Sequence, residues 1–137
     1  MLRAVSLFLL LGLYLYAGKF VVVANAESPI DRLTQSQVRM LYLKKKRFWG
    51  DTRLVVLNLP PQNALRKRFE HNVLKMDAEQ WEAYWAKQHY MGHRPPYRVE
   101  SVKSMLLFIK KVKGAVGYLP KKRVGAGVKI IYEGPSS

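Results

Sequence analysis

The residues of this chain best suited to chemistry follow a short apolar run and two prolines. Leu54–Leu57 is apolar throughout, with two valines at its centre, a composition typical of a strand that is covered on both faces. Pro60-Pro61 cannot donate hydrogen bonds to a sheet and should end this strand. Asn63 can then cap a helix through its side-chain oxygen, and apolar residues at helical spacing predict that the helix covers 63–75.

A small anion is the ligand that such a junction suits. The first N–H groups of a helix have no partner within it and lie at the positive end of the helix dipole, beyond the carboxyl end of the preceding strand. The sequence therefore predicts an oxyanion site formed by Asn63, Ala64, Leu65 and Arg66. Asn25 and Ser28, at the end of the first predicted strand, are expected to line the same crevice. The alternative is an ordinary capped helix whose Arg66 side chain lies in solvent.

Metal and catalytic constellations are not predicted. His89 and His93 are four residues apart, as metal ligands on one helix face often are. Gly92 lies between them and should end the helix, and no glutamate completes a His-Glu-x-x-His pattern. The sequence also has no Gly-x-Ser-x-Gly motif. We therefore expect no metal ion, no cofactor and no catalytic activity.

The elements that position the junction alternate between strands and helices. Capping boxes at Thr34–Gln37 and Asp77–Gln80 predict the starts of two helices. A further helix should follow Ser101 and end at Gly114 as its C-cap. Strands are predicted over 20–24, 54–58, 115–119 and 128–132. The order β-α-β-α-α-α-β-β predicts one α/β domain with a mostly parallel sheet and helices on both faces.

Charge limits the partners. The 137 residues include 24 Lys and Arg against 9 Asp and Glu, a net charge of +15, which favours anionic partners. Nucleic-acid binding also requires exposed aromatic rings or a known module, whereas Phe48 and Trp49 are expected to close over the core from a turn at 48–51. We therefore predict no nucleic-acid partner. The run Lys44–Arg47 is interpreted as a solvated helix end, and the lack of cysteine excludes disulfides.

The N-terminus predicts export. Residues 1–17 have a positive start at Arg3 and an apolar run up to Ala17, the form of a secretory signal. Lys19 interrupts the apolar character before the length that a membrane-spanning helix needs. An uncleaved segment would instead tether the protein to the inner membrane.

Two cleavage sites compete. Cleavage after Ala17 leaves a domain of 18–137 that includes the first predicted strand. Cleavage after Ala26 follows a better small-x-small sequence, but it removes that strand. We favour the first site and a periplasmic location.

A set of short motifs occurs in a specific order along residues 19 to 120: Phe20–Asn25, Leu33-Thr34, Met40–Leu43, Lys46-Arg47-Phe48-Trp49, Asn63–Arg66 with Phe69, Trp81 with Tyr84-Trp85, and Gly114-Ala115-Val116-Gly117-Tyr118. Together these motifs resemble short exported proteins related to the phosphate-binding component of ABC phosphate transporters, in the type 2 periplasmic-binding superfamily. The resemblance implies a single-lobe, three-layer α/β sandwich. It also implies phosphate as the first oxyanion to consider at the junction.

The resemblance also shows where this chain departs from the family. Full-length phosphate-binding proteins close two lobes around the anion, and this chain is long enough for about one. Their junction typically carries an arginine and then a Ser-Gly-Thr run whose hydroxyls and amides hold phosphate. Here Asn63-Ala64-Leu65 precedes Arg66, and Asn58 or Leu59 stands where the earlier arginine would be. The predicted site therefore lacks a hydroxyl cradle.

Two functions follow from these observations. The leading hypothesis is an exported, non-catalytic solute-binding-like protein that binds a small oxyanion such as phosphate and serves a membrane receptor or a transporter component as a sensory or transport accessory. The alternative is a periplasmic interaction module that docks an acidic envelope partner, such as a membrane receptor, without binding a small ligand. The sequence does not determine the oligomeric state.

Overall fold

A computed structural model of the protein describes residues 18–134. The predicted signal, residues 1–17, lies outside this range. Within the described range, no helix is both long enough and apolar enough to cross a membrane.

The described chain forms the strands β1 (Phe20–Asn25), β2 (Phe48–Trp49), β3 (Thr52–Arg53), β4 (Val55–Asn58), β5 (Tyr97–Arg98), β6 (Ala115–Pro120) and β7 (Val128–Glu133). Its helices are α1 (Gln35–Tyr42), α2 (Ala64–Phe69), α3 (Ala78–Tyr90) and α4 (Val102–Lys111), with a π-helical segment at Glu70–Leu74 directly after α2 and a 3-10 turn at Lys121–Arg123.

Five strands form the central sheet in the order β5-β4-β6-β1-β7, while β2 and β3 pair in a separate hairpin. β5, β4 and β6 are parallel neighbours, whereas β1 runs antiparallel to both β6 and β7. Four of the five strands in this sheet therefore point the same way and β1 is reversed. The prediction of an α/β domain with a mostly parallel sheet is confirmed.

Helices cover both faces of the sheet, as two successive residues of β6 demonstrate. A Cβ atom on Gly117 would lie 2.8 Å from the Met105 sulfur and 3.0 Å from Ile109 Cδ1, so α4 packs closely on that face. Tyr118 points to the opposite face, where its ring stacks on Phe69 of α2 with the centroids 4.0 Å apart. The sheet is therefore the middle layer of three.

Both predicted capping boxes are present. Thr34 Oγ1 accepts from the Gln37 N–H at 3.1 Å, and Gln37 Oε1 accepts from the Thr34 N–H at 2.8 Å. Asp77 and Gln80 exchange the same pair of hydrogen bonds at 2.8 and 2.9 Å. Because these contacts involve residues three apart, they are local enough to be read from the sequence.

Three local expectations are corrected. The helix predicted over 63–75 is α2 followed by the π-helical segment, which ends at Lys75 in a left-handed conformation with φ 57°. The strand β5 was missed because it has two residues and follows two prolines, so it shows no alternating pattern. Phe48 does not close over the core: the residue is 53% exposed and pairs with Arg53 at the open end of the β2–β3 hairpin.

Gly114 is not the C-cap of α4. The helix ends at Lys111, and its C-cap is Val112, which has an extended conformation. Gly114 lies buried where β4 begins, and its carbonyl accepts from the Val55 N–H at 2.8 Å. A Cβ atom there would lie 2.0 Å from the backbone oxygen of Arg53. The glycine is therefore required by the close approach of two backbone segments.

We predict that Gly114→Ala destabilises the protein by roughly 3 kcal/mol, because the added methyl group forces β3 and β6 apart. Gly125→Ala is the matched control, since nothing lies within 4 Å of a Cβ atom at that position. Its effect should stay within about 1 kcal/mol of neutral. Urea denaturation measures both changes, and equal midpoints for the two variants would contradict the packing argument.

We also predict that the folded protein retains β1. This strand lies between β6 and β7, and Val21–Ala24 is fully buried, so a chain beginning at Glu27 would lose an interior strand. A variant beginning at Gly18 should melt cooperatively by circular dichroism, and one beginning at Glu27 should not. Mass spectrometry of the exported protein should give a first residue before Phe20; a folded mature chain that begins at Glu27 would overturn the prediction.

Candidate anion-binding site

The predicted junction exists at the carboxyl end of β4. The strand ends at Asn58, the chain turns through the prolines, and α2 begins at Ala64 with Asn63 as its N-cap. Asn63 Oδ1 accepts from the Arg66 N–H at 3.1 Å, which confirms the predicted cap. The N–H groups of Ala64 and Leu65 belong to the first turn and have no acceptor within the helix. These two amides are the donors that the junction offers to an anion.

The Arg66 side chain is buried, with an exposed fraction of 10%. Its Nη1 donates to the Leu59 carbonyl at 2.8 Å, and its Nε lies 3.2 Å from Glu70 Oε1 in an ion-pair contact that lacks hydrogen-bond geometry. The guanidinium also lies over the Trp81 ring, 5.7 Å from its centroid. Arg66 is therefore not solvated, which contradicts the alternative interpretation. Its charge is already paired inside the protein with Glu70.

A buried polar network surrounds this arginine. Asn58 Oδ1 accepts a short hydrogen bond from the Tyr118 hydroxyl and another from the Leu59 N–H at 3.0 Å. Burial raises the pKa of the Glu70 carboxyl above its ordinary value, against the opposing effect of the nearby Arg66 charge. Burial likewise raises the pKa of the Tyr118 hydroxyl. The network locks the end of β4 to β6 and to α2.

Sequence reasoning did not assign Asn58, Glu70 and Tyr118 to a common cluster. One signal was present, since Glu70 follows Arg66 by four residues, the spacing at which a helix brings opposite charges together. The contact between Asn58 and Tyr118 joins residues 60 apart in the sequence, and no local pattern encodes it.

A crevice of about 420 Å³ opens beside Arg66. Its walls are mainly aromatic and proline side chains: Pro61, Trp81, Trp85, Pro95 and Pro96. Arg98 at its edge pairs with Glu100, with Nε 3.2 Å from Oε1, and both side chains are largely exposed. The Nε1 of Trp85 is buried without an acceptor among the described residues. The walls of the crevice are thus mainly apolar, and the Glu82 carboxylate also lines it.

Asn25 and Ser28 do not line this crevice, which corrects the expectation that they share it with the junction. β1 is antiparallel to β6 while β4 is parallel to it, so the end of β1 and the end of β4 lie at opposite ends of the sheet. Asn25 Nδ2 donates to the Ile109 carbonyl at 2.8 Å at the end of α4. Ser28 Oγ accepts from the Ile30 N–H at 3.2 Å. Asn25 thus joins the end of β1 to the end of α4, and Ser28 stabilises its local turn.

The histidine pair does not form a metal cluster. His93 Nδ1 lies 2.8 Å from Gln88 Oε1, and His89 is exposed on α3. Among residues 18–134 no group of three or more His, Cys, Asp or Glu side chains is placed to hold a metal ion.

The fold has counterparts among solved structures. No protein-family model and no curated protein sequence matches the chain. Solved structures do match: a proposed phosphate ABC transporter substrate-binding protein with bound phosphate from Clostridium perfringens has a TM-score of 0.69 and 17% identity, over 82% of this chain and 44% of that one. An ABC-type phosphate transport receptor from Vibrio cholerae has a TM-score of 0.66 and 19% identity, over 82% and 45%.

A third match, PstS from Borrelia burgdorferi, has a TM-score of 0.63 and 12% identity, over 83% of this chain and 46% of that one. The described chain thus shares its fold with phosphate-transport substrate-binding proteins and spans less than half of their length. At these identities the similarity establishes the fold and leaves the ligand open.

We predict that Arg66 and Glu70 stabilise the protein as a pair. Arg66→Met should cost roughly 3 kcal/mol, because it leaves a buried carboxylate without its cation. The double variant Arg66→Met/Glu70→Leu should cost less than the sum of the two single changes. Urea denaturation completes the cycle. Arg98→Met, which breaks an exposed pair, is the control and should change stability by less than about 1 kcal/mol.

The Arg66→Met variant should also depend on pH in a defined direction. Loss of the cation raises the pKa of Glu70 further above its ordinary value of 4.5, so the folded chain binds the proton more tightly than the unfolded chain. Its stability deficit should therefore shrink as the pH falls from about 8 to about 5. A deficit that grows over this range would show that Glu70 is not the group left uncompensated.

Proposed function

We propose that this protein is an exported, non-catalytic solute-binding lobe that binds a small oxyanion, with phosphate as the first candidate, at the start of α2. The observation that carries the proposal is the junction: a capped helix begins at the carboxyl end of β4 and opens beside a crevice. The same fold occurs in a Clostridium perfringens protein whose structure contains bound phosphate. Helix N-termini in this position favour anions.

In the proposed site, the backbone N–H groups of Ala64 and Leu65 donate hydrogen bonds to the anion. The net charge of +15 adds a favourable electrostatic field. Asn63 stabilises the first turn of α2 as its N-cap. Arg66 donates to the Leu59 carbonyl and holds it in place. Glu70 neutralises the positive charge of Arg66. With two amide donors and a compensated arginine, binding should be weak, in keeping with the missing hydroxyl cradle. Asn25 is not part of the proposed site.

The proposal places the protein in the periplasm, or on the inner membrane if residues 1–17 are retained. In that location the lobe would deliver or report the anion to a transporter component or a membrane receptor. The structural neighbours are substrate-binding proteins of transporters, which supports a binding role.

The proposal is tested by removing one amide without disturbing the helix. Ala64 is the first helical residue, and Asn63 before it is extended with φ −68° and ψ 129°, so Ala64→Pro is sterically compatible. We expect an unchanged melting temperature without ligand and a roughly tenfold loss of phosphate affinity, because one charge-assisted hydrogen bond is lost. Isothermal titration with phosphate and sulfate at low salt measures the affinity.

Ala78→Pro is the matched control, since it makes the same change at the first residue of α3 behind an extended Asp77. It should leave phosphate affinity unchanged. The proposal fails if the unmodified protein shows neither heat nor a melting shift at millimolar phosphate and sulfate. It also fails if both proline variants lose affinity equally.

The second candidate function is a module that docks an acidic envelope protein. The aromatic and proline walls of the crevice favour this role, because they suit a peptide segment better than an ion. Binding to membrane extracts that falls steeply with added salt, and that Arg98→Ala weakens, would support docking. Such binding in a protein with no response to phosphate would displace the oxyanion proposal.

A further inference from the structure

A second cavity, of about 230 Å³, opens at the amino-terminal end of β4. Leu54 and Val56 form apolar parts of its lining. Its charged and ionisable lining consists of Lys44, Lys46, Arg47, Arg53, His93 and Arg94, and we call this cavity the basic pocket. β4 separates the basic pocket from the proposed oxyanion site, which lies at the strand's carboxyl end.

Three chain segments that are distant in sequence build the basic pocket. The end of α1 supplies the lysines: the Lys44 N–H donates to the Leu41 carbonyl, and the Lys45 N–H donates to the Met40 carbonyl at 2.9 Å. The β2–β3 hairpin supplies Arg53. The turn that follows α3 at Gly92, with φ 79°, supplies the third segment.

The charges of the basic pocket are not compensated within residues 18–134. No acidic side chain of the described residues lines the pocket. The ion pairs of the described chain engage Arg66, Arg98, Lys121 and Lys129, all of them outside it. Lys46 instead lies over the Trp49 ring, 4.2 Å from its centroid. Two lysines and three arginines therefore surround one concave space.

At Lys44, the surrounding positive charges disfavour the charged form of the side chain. Burial, together with the charges of Arg47 and Arg53, lowers the pKa of its ammonium group. Lys44 also has a positive φ of 55°, a conformation in which glycine is the favoured residue. The interpretation of Lys44–Arg47 as a solvated helix end is therefore corrected at Lys44 alone, which is half-buried. A bound anion would relieve the repulsion.

We propose that the basic pocket binds a phosphate-bearing anion with more than one negative charge, such as pyrophosphate or a phosphomonoester headgroup. Arg47, Arg53 and Arg94 provide planar donor groups that match phosphate oxygens in pairs. The lysines add point charges at the rim. The volume accommodates more than a single orthophosphate ion, and the number of cations favours a multiply charged ligand over a singly charged one.

The test compares two double variants of equal charge. Arg53→Gln/Arg94→Gln removes two cations from the basic pocket, and Lys103→Gln/Lys122→Gln removes two exposed cations from α4 and the 3-10 turn. Isothermal titration with pyrophosphate at about 0.02 M salt, where screening is weak, should show at least a tenfold loss for the pocket variant. The control should change by less than about twofold, as expected of distant charges.

A second arm identifies the source of the phosphate group. Sedimentation with vesicles that contain phosphatidic acid reports a headgroup ligand, and titration with free pyrophosphate reports a soluble one. Pocket-dependent binding in either arm supports the proposal. The proposal is overturned if neither probe binds, or if both double variants weaken binding equally, since the net charge alone would then explain it. Ala64→Pro should leave pyrophosphate binding at the basic pocket intact, which separates this site from the proposed oxyanion site.

Discussion

The burial of Arg66 is the constraint on which the organisation of this lobe depends. A guanidinium removed from water requires both a counter-charge and hydrogen-bond acceptors, and an uncompensated charge there would cost several kcal/mol. Glu70 supplies the charge and the Leu59 carbonyl supplies an acceptor. Both lie within seven residues of Arg66, so the strand, the proline turn and the first turns of α2 are held in one conformation. Because these contacts occupy the guanidinium, the proposed anion site relies on backbone amides as its donors.

The reversed direction of β1 separates the two ends of the sheet chemically. Had β1 been parallel to β4, Asn25 and Ser28 would have joined the junction at one edge. Because β1 is antiparallel to β6, Asn25 instead binds the last carbonyls of α4. The junction is left with few polar groups of its own. The amino-terminal end of β4 faces the basic pocket, where the described part of the chain places cationic side chains and no carboxylate.

The high net charge is thus distributed unequally. In the interior a cation is paired, because desolvation makes a lone charge costly. In the basic pocket cations remain together, because water and a concave surface tolerate them and an anion can neutralise them. This contrast, more than the total of +15, indicates where anionic partners are expected on the molecule.

Local chemistry in the sequence was sufficient to predict the α/β class, the strands of β1, β4, β6 and β7, and the caps at Thr34, Asn63 and Asp77, because each depends on residues at most a few positions apart. It also located the junction after β4. The tertiary structure decided the rest. The direction of β1, the pairing of Asn58 with Tyr118 across 60 residues, the need for Gly114 against Arg53 and the convergence of three segments on the basic pocket all depend on which distant parts meet. The sequence by itself identified Arg66 as a candidate ligand, and only packing showed that its guanidinium is buried against the Leu59 carbonyl and Glu70.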